Sequence, residues 1–235
     1  MDKQLNIYGI QPVLELIDSG KQIDTIYIQK DIRAAWCQKI KHLVKEHNLN
    51  IKLVPKYKLN KITEKNHQGI IAITSSIVFQ NFENLLADIF AQGRFPLFLL
   101  LDRITDVRNF GSICRSAESF GVDGIIIPEK GSAQINEIAI KTSSGAISNL
   151  NICRERNLNQ IVTLAKKSGL TIIACSEKGE KNIFDINLKK PQLIIIGSEQ
   201  NGISNQLLSL AHETGRIPTK GKTNSLNASV ATGII

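Results

Sequence analysis

The second half of the sequence alternates short, almost wholly apolar segments with longer amphipathic ones. Four apolar segments stand out, namely LFLLL (97–101), GIIIP (124–128), TIIAC (171–175) and LIIIG (193–197). A strand that is apolar on both faces is typical of a parallel sheet, because helices cover both sides of such a sheet. The pattern therefore predicts an α/β fold, with a mainly parallel sheet flanked by helices from residue 96 onward.

Amphipathic segments between these strands predict the covering helices. The expected helices span 110–120, 134–141, 157–168, 203–211 and a last stretch from about residue 224, with further short strands at 151–153 and 216–218. In the first of these helices, Ile113, Ala117 and Phe120 are expected to form the buried stripe. Asn109 is the expected N-cap, and Gly121 is expected to close the helix.

The first part of the chain predicts a smaller α/β unit. Its expected helices span 9–20, 31–48 and 56–64, and its expected strands span 25–29, 51–54 and 69–74. Polar spacers then surround one short apolar helix at 84–90. We therefore expect a small domain over residues 1–78, a linker over 79–95 and a larger domain over 96–235.

Charge favours a polyanionic partner. The chain carries a net charge of +8 and an isoelectric point near 9.3, which makes nucleic acid the leading candidate. Aromatic residues are few, at 8 Phe, 3 Tyr and 1 Trp. Contacts to a nucleic-acid backbone are therefore expected to carry more of the affinity than base stacking.

The sequence predicts neither a membrane protein nor a metalloprotein. No apolar run approaches the roughly 18 residues of a membrane helix, and the opening residues lack the layout of a signal peptide, so a cytoplasmic location is expected. The cysteines form no CxxC pair and have no histidine at ligand spacing, which predicts reduced thiols and no metal site. They are Cys37, Cys114, Cys153 and Cys175.

Two common nucleotide-binding signatures are absent. The strand at 97–101 leads into DRITDVRNFGS, which has one glycine where a dinucleotide fold needs GxGxxG. The segment 197–204 has the glycine spacing of a phosphate loop, but Ile203 stands in the place of the lysine. The segment that ends in GKT (221–223) has Arg216 in place of the first glycine. Neither segment is a competent nucleoside triphosphate loop.

Three segments that come after predicted strands remain as candidate functional loops. They span 101–128, 194–204 and 216–235, and open α/β sheets bind ligands at the carboxyl ends of their strands. Each also has a purely structural interpretation. The first would carry a solvated arginine at position 115, the second would be a tight turn, and the third would supply Asn224 or Ser225 as a helix cap.

In combination, these loops resemble the three motifs of the SpoU family of RNA 2′-O-ribose methyltransferases, which belong to the SPOUT class. The motifs are NxGxxxRxAxxFG, GxExxG and IPxxGxxxSLN, and the resemblance covers about residues 96–235. YGIQPVLELI (8–17) and HQGIIA (67–72) resemble the small RNA-binding domain of that family. The layout is most similar to the bacterial enzymes that methylate a guanosine ribose in 23S ribosomal RNA.

The resemblance implies a cofactor, a partner and an assembly. It implies S-adenosylmethionine held in a deep trefoil knot, RNA as the substrate, and a homodimer. The positions that match the cofactor cleft of the family are Gly197, Gly202, Ile217, Pro218 and Leu226. The positions that match its polar, catalytic residues are Asn109, Arg115, Glu199, Ser225 and Asn227.

Roles for these residues come from the resemblance and from the weak acidity of a ribose hydroxyl. A guanidinium stays protonated in proteins, so Arg115 is expected to hold a phosphate beside the target ribose and not to act as a base. Asn109 and Asn227 are expected to orient the ribose or the loops, and Ser225 to assist the hydroxyl or the cofactor carboxylate. Glu199 is expected to be structural.

Two alternatives stay open at the level of sequence. The same scaffold serves methyltransferases that act on transfer RNA and those that confer resistance through ribosomal RNA. The chain could also be a catalytically silent RNA-binding module in which the three loops persist only as structure. Members of the family usually continue beyond the position of Ile235, and a shorter chain is expected to bind the cofactor less tightly.

Overall fold

The chain folds into two units, each of which combines β-strands with helices. The computed structural model describes residues 6–32, 35–47, 49–75, 77–221 and 225–235. The first unit extends to Val78 and the second runs from Phe79 to Ile235. Residues 33, 34 and 48 of the predicted second helix, and the candidate cap Asn224, lie outside the described residues.

The first unit is a four-stranded sheet with three helices. Its elements are β1 (Asn6–Tyr8), α1 (Ile10–Asp18), β2 (Ile23–Gln29), α2 (Ala35–Glu46), β3 (Ile51–Val54), α3 (Lys56–Ile62) and β4 (Ile70–Thr74). The strand order is β1-β4-β2-β3, in which only β2 and β3 pair in parallel. The apolar stripe of α1, which includes Val13 and Ile17, packs into the core of this unit. Pro55 ends β3 and begins α3 in an extended conformation.

The second unit is built on an eight-stranded sheet in which every described strand pair is parallel. Its first elements are β5 (Phe79–Gln80), α4 (Phe82–Ala91), β6 (Leu97–Asp102), α5 (Val107–Ser119), β7 (Gly124–Pro128), α6 (Glu137–Thr142) and β8 (Ile152–Glu155). Its later elements are α7 (Leu158–Lys167), β9 (Thr171–Cys175), β10 (Lys181–Asn182), β11 (Gln192–Gly197), α8 (Asn205–Leu210), β12 (Glu213–Arg216) and α9 (Ala228–Ile234). Short 3₁₀ turns cover Ala146–Ser148 and Ile183–Asp185.

The predicted parallel sheet is confirmed, and β11 lies near its centre. The strand order is β10-β12-β9-β11-β6-β7-β8-β5. Ile194 of β11 pairs with Leu99 of β6 and Ile173 of β9, and all three are buried. At the carboxyl end of the same strands, Gly197 pairs with Asp102. None of the helices in the described ranges is long and apolar enough to cross a membrane.

The segment 79–95, expected as a linker, is instead part of the second unit. β5 pairs with β8, and α4 packs on the core through Phe82, Leu86 and Ile89, which are all buried. The ring of Phe82 lies edge-on to that of Phe98, with 5.0 Å between the ring centroids. The expectation of a linker was wrong because these apolar residues bury against the sheet.

Three expectations about helix α5 and the third candidate loop were also wrong. The N-cap of α5 is Asp106, whose side chain accepts a hydrogen bond from the backbone of Asn109. Phe120 is 68% exposed and does not belong to the buried stripe. Strand β12 begins at Glu213 and ends at Arg216, so the strand predicted over 216–218 overlaps it only at Arg216 and does not include Ile217.

Candidate active site

A cleft of about 400 Å³ lies in the second unit, at the carboxyl edge of its sheet. Its lining comes from the segment after β9 (175–178), the segment after β11 (197–203) and the segment from the end of β12 into α9 (215–231). These segments meet because parallel strands end at the same edge of a sheet. The lining combines apolar side chains with the exposed backbone of glycine-containing turns.

The cleft brings together most of the residues predicted for it. Those that line it are Gly197, Glu199, Gly202, Ile217, Ser225 and Leu226. Asn109 and Asn227 are not part of the lining but are joined to Glu199 by hydrogen bonds. Pro218 comes after Ile217 on the surface, outside the lining, and Arg115 is also outside it.

Glycine is required at position 197 because the turn after β11 folds back onto it. A Cβ atom there would collide with the carbonyl of Gly202 and the amide of Ile203. Gly202 itself has φ +59°, and its amide donates to the carbonyl of Ser198 at 2.8 Å. The backbone of this turn is therefore open to a ligand on one side of the cleft.

Two residues that the sequence analysis did not single out hold this turn in place. Asp102 accepts a hydrogen bond from the backbone of Ser204 at 2.7 Å. Arg103 donates through Nη2 to the carbonyl of Gly202 at 3.1 Å, from a backbone with φ +60°. A charged Asp-Arg pair at the carboxyl end of the apolar strand β6 is the sequence signal for this role, since strand ends position functional loops.

A cluster of three side chains joins the three candidate loops. Asn109 donates through Nδ2 to Glu199 Oε1 at 2.8 Å. Asn227 donates through Nδ2 both to Asn109 Oδ1 at 3.0 Å and to Glu199 Oε1. The backbone of Ala228 also donates to Glu199 Oε1, at 3.3 Å. We call Asn109, Glu199 and Asn227 the polar cluster.

Helix caps fix the geometry of the polar cluster. Asn227 is the N-cap of α9, and its Oδ1 accepts from the backbone of Ser229 at 2.9 Å. That bond leaves its Nδ2 to face Asn109 and Glu199, so one amide serves the helix and the cluster together. Ser225, which the structural interpretation of the third loop offered as a cap, therefore does not cap α9. Asp106 caps α5 and so places Asn109 in the first turn of that helix.

Arg115 is exposed on α5, on the side away from the sheet. The spacing of Arg115 from Ile113 and Ala117 predicts that it projects away from the core towards the loop side; it is exposed, but it does not line the cleft. Arg108, seven residues earlier, is exposed on the same side of the helix. Among the described residues, none forms a hydrogen bond or an ion pair with the Arg115 guanidinium. The cation is thus free to meet an anion from solution.

The charged residues of the described cleft lining are two carboxylates and one ammonium group. They are Glu177, Glu199 and Lys178. The hydrogen bonds that Glu199 accepts all go to its Oε1, and the described residues offer no donor to its Oε2. Cys175 also lines the cleft, and burial raises the pKa of its thiol to about 12. That thiol is therefore neutral at physiological pH. The two carboxylates outnumber the one ammonium group, so the charge of the lining favours a cationic ligand.

Comparison with known proteins identifies the class that this fold and site define. Residues 96–235 match the SpoU rRNA Methylase family, and residues 6–77 match the substrate-binding domain of RNA 2′-O ribose methyltransferases. The chain therefore belongs to the SpoU family and is an RNA methyltransferase. The predicted family resemblance is confirmed, and the trefoil knot is a feature that family membership implies.

Individual relatives cover nearly the whole chain. A protein of Staphylococcus saprophyticus, named as a TrmH family tRNA/rRNA methyltransferase, is 32% identical over 99% of this chain and 94% of its own length. The SpoU methyltransferase AviRb from Streptomyces viridochromogenes, crystallised with AdoMet, has a TM-score of 0.61 at 22% identity, covering 98% of this chain and 87% of its own. An AdoMet-bound rRNA methyltransferase from Sinorhizobium meliloti has a TM-score of 0.61 at 24% identity, covering 99% and 85%. The two structures show the same fold, and the Staphylococcus name leaves tRNA and rRNA as alternatives.

Proposed function

We propose that this chain transfers the methyl group of S-adenosylmethionine to a ribose 2′-hydroxyl of RNA, with a guanosine of 23S ribosomal RNA as its target. The observation that carries the proposal is the polar cluster, because it joins all three family motifs beside one cleft. A silent RNA-binding module has no need to keep such a hydrogen-bonded arrangement next to an accessible cleft. The 23S target rests on the sequence resemblance.

The residues present fit S-adenosylmethionine. Ile217 and Leu226 give the cleft apolar surface for a flat heterocycle, and the turn at Gly197 and Gly202 exposes backbone polar groups. The open Oε2 of Glu199 supplies negative charge for a cation. The bound cofactor supplies a methyl group on a positively charged sulfur. The related proteins from Streptomyces and Sinorhizobium were both crystallised with this molecule.

The polar cluster positions the reacting groups and does not ionise the hydroxyl. Two amides and a carboxylate joined in one network have few rotational alternatives, which suits alignment of a nucleophile with a leaving group. Ser225 lines the cleft with an exposed side chain, where its hydroxyl can assist the ribose hydroxyl or a ligand carboxylate. Orientation and exclusion of water are the contributions we assign to these residues.

Arg115 acts on the phosphate beside the target ribose. Its guanidinium is exposed and has a planar pair of donors that match two phosphate oxygens. A positive charge at that position lowers the pKa of the nearby hydroxyl, and the proton leaves to phosphate or water. Arg115 itself stays protonated throughout.

Two further parts of the proposal concern partners. The first unit binds RNA, in keeping with its match to a substrate-binding domain and with the net charge of +8 on the chain as a whole. The chain forms a homodimer through exposed apolar residues of α9 and of the turn that follows α5. Phe120, Val230 and Ile234 are exposed there, and they would bury apolar area against a second copy. We place the protein in the cytoplasm.

The test measures cofactor binding and substrate choice separately. Calorimetric titration with S-adenosylhomocysteine should give measurable heat and a thermal shift, and the absence of both at millimolar ligand would favour the silent module. Methylation with tritiated S-adenosylmethionine should then label 23S fragments and leave transfer RNA unlabelled. Labelling of transfer RNA alone would replace the 23S target by the tRNA alternative, and a label at another ribosomal site would favour a resistance-type enzyme.

A further inference from the structure

A second hollow, of about 630 Å³, lies in the first unit beside the loop that joins α3 to β4. Its lining includes the polar side chains of Lys56, Asn60, Glu64, Lys65 and Gln68. We call it the α3–β4 hollow. Nothing in the proposed methyl transfer uses it.

The backbone of this loop is held in an unusual conformation. Gln68 and Gly69 both have positive φ, at 51° and 83°. Gln68 carries a side chain, so this conformation is strained and persists only where the surroundings impose it. The buried ring of His67 does so, because its Nδ1 accepts from the amide of Gly69 at 3.0 Å. Such strain is typical of loops that present groups to a ligand.

Internal hydrogen bonds occupy the oxygen atoms of two amide side chains in the lining, Asn60 and Gln68. With His67 Nδ1 acting as an acceptor, the ring proton is on Nε2, which donates to Asn60 Oδ1 at 2.8 Å. Gln68 Oε1 accepts from the backbone of Ile10 at 3.0 Å, at the start of α1. Both oxygens are therefore occupied. Among the described residues, no acceptor binds Asn60 Nδ2 or Gln68 Nε2, so both amides can offer N–H donors to a ligand.

The hollow also holds one carboxylate and two ammonium groups. Glu64 supplies an acceptor, and Lys56 and Lys65 supply positive charge for a phosphate. The Lys65 ammonium lies 5.5 Å from the centre of the Tyr8 ring, which restrains that side chain. Donors, an acceptor and cations in one hollow are the groups that recognise a nucleotide.

Guanine is the base whose edge matches this set. It presents the acceptors O6 and N7 beside the adjacent donors N1–H and N2–H₂. The amide donors of Asn60 and Gln68 suit the acceptors, and a carboxylate such as Glu64 takes two adjacent N–H donors. Adenine, cytosine and uracil have no such pair of adjacent donors. We propose that the α3–β4 hollow binds one unpaired guanine of the substrate RNA, an inference that rests on the proposed RNA substrate.

The test compares the binding of short single-stranded RNAs to the 235-residue protein by fluorescence anisotropy. The probes are a labelled uridine nonamer and the same nonamer with one central guanosine or adenosine. We expect the guanosine probe to bind about 5- to 10-fold more tightly than the other two, the size of one good base contact. Equal affinity for the three probes would overturn the inference.

Two isosteric variants test the amide donors. Asn60→Asp and Gln68→Glu keep the oxygen that accepts from His67 or Ile10 but lose the N–H donors. Each should reduce the preference for guanosine to about 2-fold or less. Gln38→Glu, at an exposed amide of α2, adds the same charge outside the hollow and should weaken all three probes equally. Retained guanosine preference in both hollow variants would contradict the proposal.

Glu64→Gln gives a prediction in which general affinity and base preference move in opposite directions. Loss of a negative charge should strengthen binding of the uridine nonamer, while loss of the acceptor should weaken the guanosine preference. Glu46→Gln, at an exposed residue of α2, should strengthen all probes and keep the preference. If Glu64→Gln behaved like Glu46→Gln, guanine would not be read by Glu64.

The same preparations separate this inference from the proposed function. Each variant should melt as the parent protein does and bind S-adenosylhomocysteine with unchanged affinity, since the cofactor cleft belongs to the second unit. A parent protein that failed to bind S-adenosylhomocysteine but kept its guanosine preference would overturn the methyltransferase proposal alone. A parent protein that bound S-adenosylhomocysteine but showed no preference for guanosine would overturn the guanine site alone.

Discussion

Asn227 and Asn109 are 118 positions apart in the sequence, yet Nδ2 of Asn227 lies 3.0 Å from Oδ1 of Asn109. Both amides also donate to the same oxygen of Glu199. The contact therefore brings the first turn of α5, the turn after β11 and the cap of α9 to one point. This relationship gives each residue a role that a single substitution can test.

Asn227→Asp should lower methyl transfer without loss of folding. The aspartate still caps α9 through one oxygen, but its second oxygen replaces a donor and faces the Glu199 carboxylate. Loss of a hydrogen bond to a charged group predicts a fall in kcat/KM of about 10- to 100-fold. The measurement is a methyl-transfer assay beside thermal melting.

Asn157→Asp is the matched control for that substitution. Asn157 caps α7 in the same way as Asn227 caps α9, and it does not belong to the polar cluster. It should keep full activity. Equal activity of the two variants would show that the polar cluster does not contribute to the reaction.

Gly197→Ala should abolish tight cofactor binding. The added methyl group collides with the backbone of Gly202 and Ile203, so the turn must move out of the position that lines the cleft. We expect at least a tenfold weaker affinity for S-adenosylhomocysteine, and a loss of about 1–3 kcal/mol of stability from overpacking. Calorimetry and urea unfolding measure the two effects. Gly233→Ala is the control, since a Cβ there meets only Ser116 Oγ at 3.7 Å. Unchanged binding of S-adenosylhomocysteine in both variants would refute the steric argument.

Arg115→Lys should reduce turnover about tenfold or more while S-adenosylhomocysteine binds as before. Lysine keeps the charge but lacks the planar pair of donors that holds a phosphate. Arg108→Lys, on the same exposed side of α5, should have a much smaller effect on turnover. If Arg115→Lys retained most of the turnover, a two-pronged phosphate contact would be the wrong description of this residue.

The free energy of unfolding should fall as the pH rises above about 9 in reducing buffer. Burial raises the pKa of both Cys153 and Cys175 from 9.0 to about 12, and raises that of Cys114 as well. Between these values the folded state keeps protons that the unfolded chain releases, so their stabilising contribution is full below pH 9 and is lost towards pH 12. Between pH 9 and pH 12, each thiol lowers the free energy of unfolding by up to about 1.4 kcal/mol per pH unit.

Cys175→Ala isolates one of these contributions. Urea unfolding at pH 8 gives the free energy lost with the side chain itself. The same measurement at pH 10 also includes the free energy of deprotonating the thiol on unfolding. The variant should lose less stability between the two pH values than the parent protein does. An identical loss in both proteins would mean that the Cys175 thiol does not titrate differently on unfolding.

The parallel sheet could be predicted because its strands are apolar without interruption. Segments such as LFLLL and LIIIG bury both faces, and only a helix-covered sheet accommodates that pattern. The error over 79–95 has the opposite origin. β5 has only two residues and α4 lies among polar spacers, so the burial of Phe82 depends on distant partners such as Phe98. Local patterning does not encode such contacts.

The sequence predicts which residues belong to the site, but it does not predict where their side chains point. The motifs placed Glu199, Asn109 and Asn227 in the site, whereas the choice between lining the cleft and supporting it depends on how α5 is rotated. That rotation is set by Gly111, where a Cβ would lie 2.7 Å from the carbonyl oxygen of Ala139 in α6. The close approach of the two helices leaves Arg115 on the exposed side of α5 and outside the cleft lining, and its place outside the lining is what the motif alone does not contain.

The polar cluster is complete only when α9 packs against α5, because Asn227 caps α9 and Asn109 lies in the first turn of α5. Contacts between residues this far apart in sequence form slowly during folding. A molecule in which α9 has not yet docked lacks the Asn227 amide that binds Asn109 and Glu199, so methylating activity should appear only with that packing step.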